Sequence, residues 1–390
     1  MVVADSRATL EHDLDGPRAW RNVAAAFASM FTVFGVAYSF GAFFAPMAEE
    51  FDVGRSATSA VFSITACLYF LLGVLSGPAV DRFGPRPVLL TGALAMGIGL
   101  LLTSFVGELW IGYVTYGLGV GIGVACGYVP MVATVGGWFA KRRSMALGVA
   151  VAGIGVGTLA VAPLAAALIE RFGWRETYRL FAVASTLALL VCAAVADRPP
   201  AHAATLSIDA PSPVRTPQFA VLYVSGLFVS LALFLVFIFL VPFAEENGVG
   251  KVAAASLVGI VGASSIVGRL ALGLLADRVG SVRMYRATFL VIASSYGLWL
   301  ATSEYAVLVA FTVVFGAAYG GFIALSPAVM AELFGTAAMG RVVGVLYTSA
   351  GIGALVGPPA AGFVIDATGS YRWAIGAAMA LAFGGWLILG

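Results

Sequence analysis

Apolar stretches of about eighteen residues or more recur along the chain, separated by short polar breaks. Twelve such runs can be drawn, at 22–48, 57–80, 87–106, 109–139, 144–169, 176–196, 217–244, 252–276, 284–302, 305–333, 341–365 and 371–389. At about 1.5 Å of rise per helical residue, each is long enough to cross a hydrocarbon layer roughly 30 Å thick. The runs are continuous and rich in Ala, Leu, Val and Gly, whereas a membrane barrel needs short strands that alternate apolar and polar residues. Hydrocarbon offers the backbone no water, so each segment must satisfy its own peptide groups, and only a helix does so. The pattern predicts an all-α membrane protein with twelve transmembrane helices.

One polar break is longer than the others. Asp197 to Thr216 holds Pro199, Pro200, Pro211 and Pro213 and is followed by Pro217, the composition of a flexible linker. It divides the chain into a tail (1–21), six helices (22–196), the linker (197–216) and six more helices (217–390). The halves are related. Asp81-Arg82-Phe83-Gly84 follows the second run, and Asp277-Arg278-Val279-Gly280 follows the eighth, 196 residues later. Glu170 and Asp366, at the ends of the fifth and eleventh runs, are also 196 apart, and Pro130 has a near counterpart in Pro327. A duplication predicts two pseudo-symmetric six-helix bundles. Parallel repeats of this kind place a binding site at their interface near the bilayer midplane and expose it alternately by rocking.

Composition narrows the class further. With 61% hydrophobic and 10% charged residues and a mean hydropathy of +1.01, a soluble fold would lack a polar surface. A net charge of +2 is too small to argue for nucleic acid. Of the loop Lys and Arg residues, 14 fall on the side of the termini and 6 on the other. That bias predicts a multi-pass protein of the cell membrane with both termini cytoplasmic. Cys67, Cys126 and Cys192 lie inside apolar runs, which leaves no disulfide framework and no CxxC site. His12 and His202 sit in the tail and linker, so neither a metal centre nor a cofactor is expected, and no Ser/His/Asp constellation points to an enzyme. The acidic tail, with Asp5, Glu11, Asp13 and Asp15, does not read as a signal peptide.

Two sets of residues carry a family resemblance. Gly77-Pro-Ala-Val-Asp81-Arg82-Phe-Gly84-Pro-Arg86 and its copy Gly273-Leu-Leu-Ala-Asp277-Arg278-Val-Gly280 resemble the cytoplasmic loop signature of the major facilitator superfamily. In such a loop the Asp can cap or pair at a helix end while the Arg reaches the neighbouring helix, so Asp81, Arg82, Asp277 and Arg278 are expected to act as a conformational latch. Trp138-Phe139-Ala-Lys141-Arg142-Arg143-Ser-Met-Ala146-Leu-Gly148 and the stretch on to Gly153 resemble the fifth-helix signature of the monocarboxylate transporters. Asp15-Gly16-Pro-Arg-Ala19-Trp20 matches that family's other signature in part, departing at Pro17 and Arg18, while Phe172-Gly173-Trp174-Arg175 and Gly357-Pro358-Pro359 also fit.

The candidate chemistry centres on Arg269, eight residues before Asp277 in the eighth run. At about 12 Å inside the helix end it is too deep for easy snorkelling. A guanidinium there needs a polar cavity, and its planar fork suits a carboxylate. No Asp or Glu lies clearly inside any run, Glu332 being near the end of the tenth, so a substrate anion is the expected partner. The resemblance implies the same role for Arg269, and in that family an Asp one turn earlier and a first-helix Lys serve proton coupling. Those positions here are Ser265 and Ala42.

Close cousins that exchange oxalate and formate add a Lys in the eleventh helix. The eleventh run has none, and Arg341 stands at its start, so one buried positive charge favours monocarboxylates. Tyr38, Tyr128, Tyr319, Tyr347 and Ser265 are candidate polar contacts, and Phe43, Leu147 and Phe322 candidate wall residues. The expectation is a monomeric, proton-coupled symporter of lactate- or pyruvate-like acids. The alternatives are an organic anion exchanger of the oxalate/formate type and efflux of hydrophobic compounds.

Overall fold

The computed structural model describes residues 14–139, 141–200, 213–334 and 339–390. The linker residues 201–212 and the side chains of Asp277 and Arg341 lie outside the described residues. Among the described residues fourteen α-helices make twelve crossings. The first crossing is α1 (Pro17–Tyr38) with α2 (Phe40–Phe51), and the second and third are α3 (Arg55–Phe83) and α4 (Pro85–Thr103). The fourth is α5 (Leu109–Gly127) with α6 (Val129–Trp138), followed by α7 (Arg143–Phe172) and α8 (Trp174–Val195). The second half is α9 (Pro217–Glu246), α10 (Lys251–Val279), α11 (Ser281–Ala301), α12 (Tyr305–Phe334), α13 (Met339–Thr368) and α14 (Tyr371–Ile388).

Most helices outrun their apolar stretches, and the ends show why. Pro17, Pro85 and Pro217 open helices at the first turn, where a missing N–H costs nothing. The side chains of Thr216 and Ser370 accept from the amides of Phe219 and Arg372. Polar end turns therefore carry the helix beyond the hydrocarbon. Asp81 and Arg82, expected in a loop, form the last turn of α3, and α10 continues to Val279.

Each of these helices stops at a glycine with positive φ, Gly84 at 86° and Gly280 at 99°. At the opposite ends of α7 and α13, Gly173 at 81° and Gly369 at 66° do the same. Both pairs are 196 residues apart, so the duplication read from the charged motifs recurs in backbone conformation.

Packing repeats it again. In the first half α1 lies on α7, α3 on α5, and α4 on both α5 and α8. In the second α9 lies on α13, α10 on α12, and α11 on both α12 and α14. The two bundles meet along α7 with α10 and along α3 with α13. At the first seam the chains touch backbone to backbone. A Cβ added to Gly155 would stand 2.5 Å from the Gly262 carbonyl oxygen, and one on Gly262 would stand 2.6 Å from that of Gly155. In a bilayer, helices associate through this kind of close packing, because lipid tails are as apolar as leucine.

On the side away from the termini, Arg55 of α3 joins the bundles. Its Nη2 is 2.7 Å from Glu246 Oε1 and its Nη1 is 3.5 Å from Asp366 Oδ1. Its Nε donates to the Tyr371 hydroxyl at 3.2 Å, and that hydroxyl donates to Glu246 at 2.7 Å. The Ser56 amide and hydroxyl donate to Asp366 and to the Pro359 carbonyl. Half-exposed ion pairs contribute about 1 kcal/mol or less each, a magnitude that holds this side shut without locking it.

Two outcomes follow from these contacts. Gly262→Ala should lower stability by about 1–3 kcal/mol, read as a depressed Tm of the purified protein. Gly297→Ala, with open space around it, should not, and equal Tm values would refute the close approach. Arg55→Ala should shift the two-state balance toward opening of that side, seen as a longer-distance population between spin labels at Val53 and Val249. An unchanged distance distribution would show that the cluster is incidental.

Candidate functional site

Two crossings of the first bundle are broken where they face the second. At Ser39 the hydroxyl donates to the Val36 carbonyl at 2.8 Å, and the Ala42 amide pairs only three residues back, with Ser39. The result is a tightened turn between α1 and α2. At Tyr128 the cause is Pro130, which has no N–H to continue the α5 ladder. The amides of Met131 and Val132 both turn to the Tyr128 carbonyl instead. Each break leaves a tyrosine at the bundle interface, Tyr38 at the end of α1 and Tyr128 between α5 and α6.

Around these breaks an aromatic layer spans both bundles. Tyr38 stacks on Phe237 of α9 with ring centroids 4.4 Å apart, and its hydroxyl lies 3.1 Å from that of Tyr319 on α12. Phe34 meets Tyr128 and Tyr69 edge-on. In the second bundle Tyr285 stacks on Phe322 and shares a hydrogen bond with Ser326 at 3.2 Å.

These side chains enclose a cavity of about 80 Å³. Its first-bundle wall is Phe34, Tyr38, Tyr69, Phe70, Tyr128 and Ile154; α9, α11, α12 and α13 supply Ser230, Phe234, Tyr285, Tyr319, Phe322, Tyr347 and Ser349. Ten of its nineteen lining residues are aromatic, and hydroxyls are its side-chain polar groups.

Arg269 stands beside this cavity at the α7–α10 seam. Its Nη1 donates to the Val151 carbonyl of α7 at 2.9 Å. Ile154, one turn further along α7, is part of the cavity wall. The Nε and Nη2 of Arg269 are buried and have no hydrogen-bond partner among the described residues. Its charge acts on the hydroxyls of Tyr38, Tyr128, Tyr319 and Tyr347. No Asp or Glu is fully buried among the described residues, so the protein supplies this guanidinium with no buried anion. No three His, Cys, Asp or Glu side chains among them converge as metal ligands.

The structure therefore gathers Tyr38, Tyr128, Tyr319, Tyr347 and Phe322 around one cavity, with Arg269 behind its wall. Three expected residues are elsewhere. The Ser265 hydroxyl is turned onto its own helix, donating to Gly262 at 2.8 Å. Leu147 packs, partly buried, against the hydrophobic core and is not in the cavity lining, and Phe43 stacks on Tyr178 at 4.0 Å, away from the cavity. In the motif expected to form a latch, the main-chain carbonyls of Asp81 and Arg82 accept from Arg198, while the Arg82 guanidinium lies over Phe83. Arg278 is exposed at the end of α10. Tyr69 and Tyr285, which also line the cavity, were not among the expected contacts. The adjacent rings Tyr69-Phe70 in an otherwise aliphatic stretch were the available signal.

Comparison with known proteins places these features in context. The family model described as Major Facilitator Superfamily matches residues 25–292 and 222–390. Monocarboxylate transporter 3 of Rattus norvegicus is 33% identical over 363 residues, covering 88% of this chain and 74% of the relative. Monocarboxylate transporter 13 of Bos taurus is 31% identical over 386 residues, covering 96% and 89%. Among solved structures, a bacterial homologue of the human lysosomal transporter Spinster, inward-facing and unoccupied, superposes with a TM-score of 0.80 at 15% identity. That superposition covers 96% of this chain and 97% of the other.

Proposed function

The chain belongs to the major facilitator superfamily, and within it to the monocarboxylate transporter family; as a membrane transporter of that family, we propose, it carries small monocarboxylates by alternating access. The observation that supports this cargo is Arg269, a deep guanidinium with two buried donor atoms unpartnered and no fully buried acid among the described residues. A carboxylate has the charge and the geometry to take both donors. A single cation balances a single negative charge, which favours monocarboxylates over oxalate-like dianions.

Cavity size agrees with that cargo. A cavity of about 80 Å³ is several times larger than the roughly 10–15 Å³ that a single water needs, a size suited to a small acid such as lactate or pyruvate. The aromatic walls suit the short carbon tail.

In this reading residues 22–196 and 217–390 are the rocking halves, and 197–216 joins them in the cytoplasm beside both termini. The protein works as a monomer in the cell membrane, and Asp81, Arg82, Asp277 and Arg278 govern the opening of the cytoplasmic side. Arg55 and its partners then close the outer side. Coupling is symport with protons. Ala42 and Ser265 hold no titratable group, so the proton travels with the acid or through another group.

Arg269→Ala in proteoliposomes should reduce lactate and pyruvate uptake by about 100-fold, as expected for losing two charge-assisted hydrogen bonds. Arg269→Lys should retain part of it, because a lysine keeps the charge and loses the fork. An inward proton gradient should accelerate uptake by the unmodified protein. Undiminished uptake by a folded Arg269→Ala protein would end this reading.

A further inference from the structure

We propose that the second bundle carries, at its end nearest the termini, a binding site for an anionic phospholipid, in which Arg286 of α11, stacked on Trp386 of α14, holds the lipid phosphate. Both residues lie outside the central cavity, so the site is independent of the cargo.

Arg286 is five residues past the start of α11 at Ser281, about 7.5 Å along the helix, and Trp386 is two residues before the end of α14. The two helices pack together, and the Arg286 guanidinium carbon stands 5.2 Å from the centre of the Trp386 ring. That depth is the headgroup region, where tryptophan concentrates. Stacking holds the plane of the guanidinium fork, but it supplies no hydrogen-bond acceptor. The Nε of Arg286 is buried and has no hydrogen-bond partner, and no ion pair among the described residues reaches it.

Other arginines set over rings show what is missing. Arg55 over Tyr371 pairs with Glu246, Arg175 over Trp174 with Glu50, and Arg179 over Phe105 with Glu176. Arg82 and Arg171 lie over the ring next to them in sequence and are exposed. Arg286 has a ring from another helix and no carboxylate. Neither α11 nor α14 contains an Asp or Glu, and Glu332, at the same end of the neighbouring α12, is exposed and outside every ion pair among the described residues. A desolvated donor without an acceptor costs free energy, and an anion brought by the membrane removes that cost.

The surface beside the pair selects a lipid. Leu290, one turn beyond Arg286, is 37% exposed, and Leu387, next to Trp386, is 65% exposed, which gives acyl chains a face to lie along. Arg283, exposed one turn before Arg286, adds a second cation. The first amides of α11 have no side-chain cap and contribute the positive end of the helix dipole. Phosphate accepts in bidentate fashion from a guanidinium, and basic pockets between spanning helices take acidic headgroups. A choline headgroup brings a cation of its own to this basic face, whereas phosphatidylglycerol brings net negative charge.

Dioleoylphosphatidylglycerol should therefore raise the Tm of the purified protein in detergent more than dioleoylphosphatidylcholine does, and native mass spectrometry should show about tenfold tighter binding of the glycerol lipid. Arg286→Gln should abolish that preference and Arg286→Lys should keep part of it, because a lysine keeps the charge and loses the fork. Arg171→Gln, which removes an equal charge on the opposite side of the membrane, should leave it intact. Free glycerol phosphate at the same concentration should not change the Tm; stabilisation equal to that by the lipid would assign the site to a soluble anion and overturn the lipid. Equal binding of the two lipids by the unmodified protein, a comparison that needs no variant, or equal losses from Arg286→Gln and Arg171→Gln would overturn the proposal and leave Arg286 as a charge that sets topology.

Discussion

A peptide group left unpaired in hydrocarbon costs several kcal/mol, so a chain that crosses the bilayer twelve times must keep its helical ladders closed. Among the described residues two crossings are interrupted as helices, at Ser39 and at Tyr128, and each interruption adjoins a tyrosine of the cavity wall. The strain is contained locally. A hydroxyl and a three-residue turn take up the carbonyls at the first break, and Tyr128 accepts two amides at the second. Irregular backbone survives at membrane depth where protein surrounds it, which is why the breaks and the cavity coincide.

Around that fixed point the two halves play matched roles. Gly84 and Gly280 end equivalent helices, Gly173 and Gly369 end another equivalent pair, and the same set of helix pairings recurs in each bundle. The site itself is not symmetric. The first bundle provides the broken helices and the Val151 carbonyl, and the second provides the guanidinium, while each contributes five rings to the aromatic wall. A duplicated frame thus carries one charge.

Much of this was legible in the residues. Long apolar runs specify spanning helices because the bilayer allows little else, and repeated Asp-Arg motifs disclose the duplication. Arg269 stood out because charge at that depth is rare. Helix ends were less legible. An apolar run reports hydrocarbon thickness, whereas caps such as Thr216 and glycines such as Gly84 set where the ladder stops. Ser265 and Leu147 were placed at the site by analogy of position. Their actual orientation depends on the rotation of α10 and α7 about their axes, which one sequence does not encode in any simple period when most faces are apolar. Tyr69 and Tyr285 were missed for the complementary reason: an aromatic in an apolar helix looks like packing until the fold shows that it lines a cavity.

Among the described residues Arg269 donates one hydrogen bond, to a main-chain oxygen, that of Val151. A side-chain acceptor can be deleted by a single codon change, but a carbonyl is present whatever residue occupies the position. The resting place of the charge is therefore written in the course of α7 and in the glycines that let α10 approach it. Drift at position 151 leaves the acceptor intact, and selection on this contact falls on Gly155 and Gly262, two residues with no side chain and no direct bond to the arginine at all.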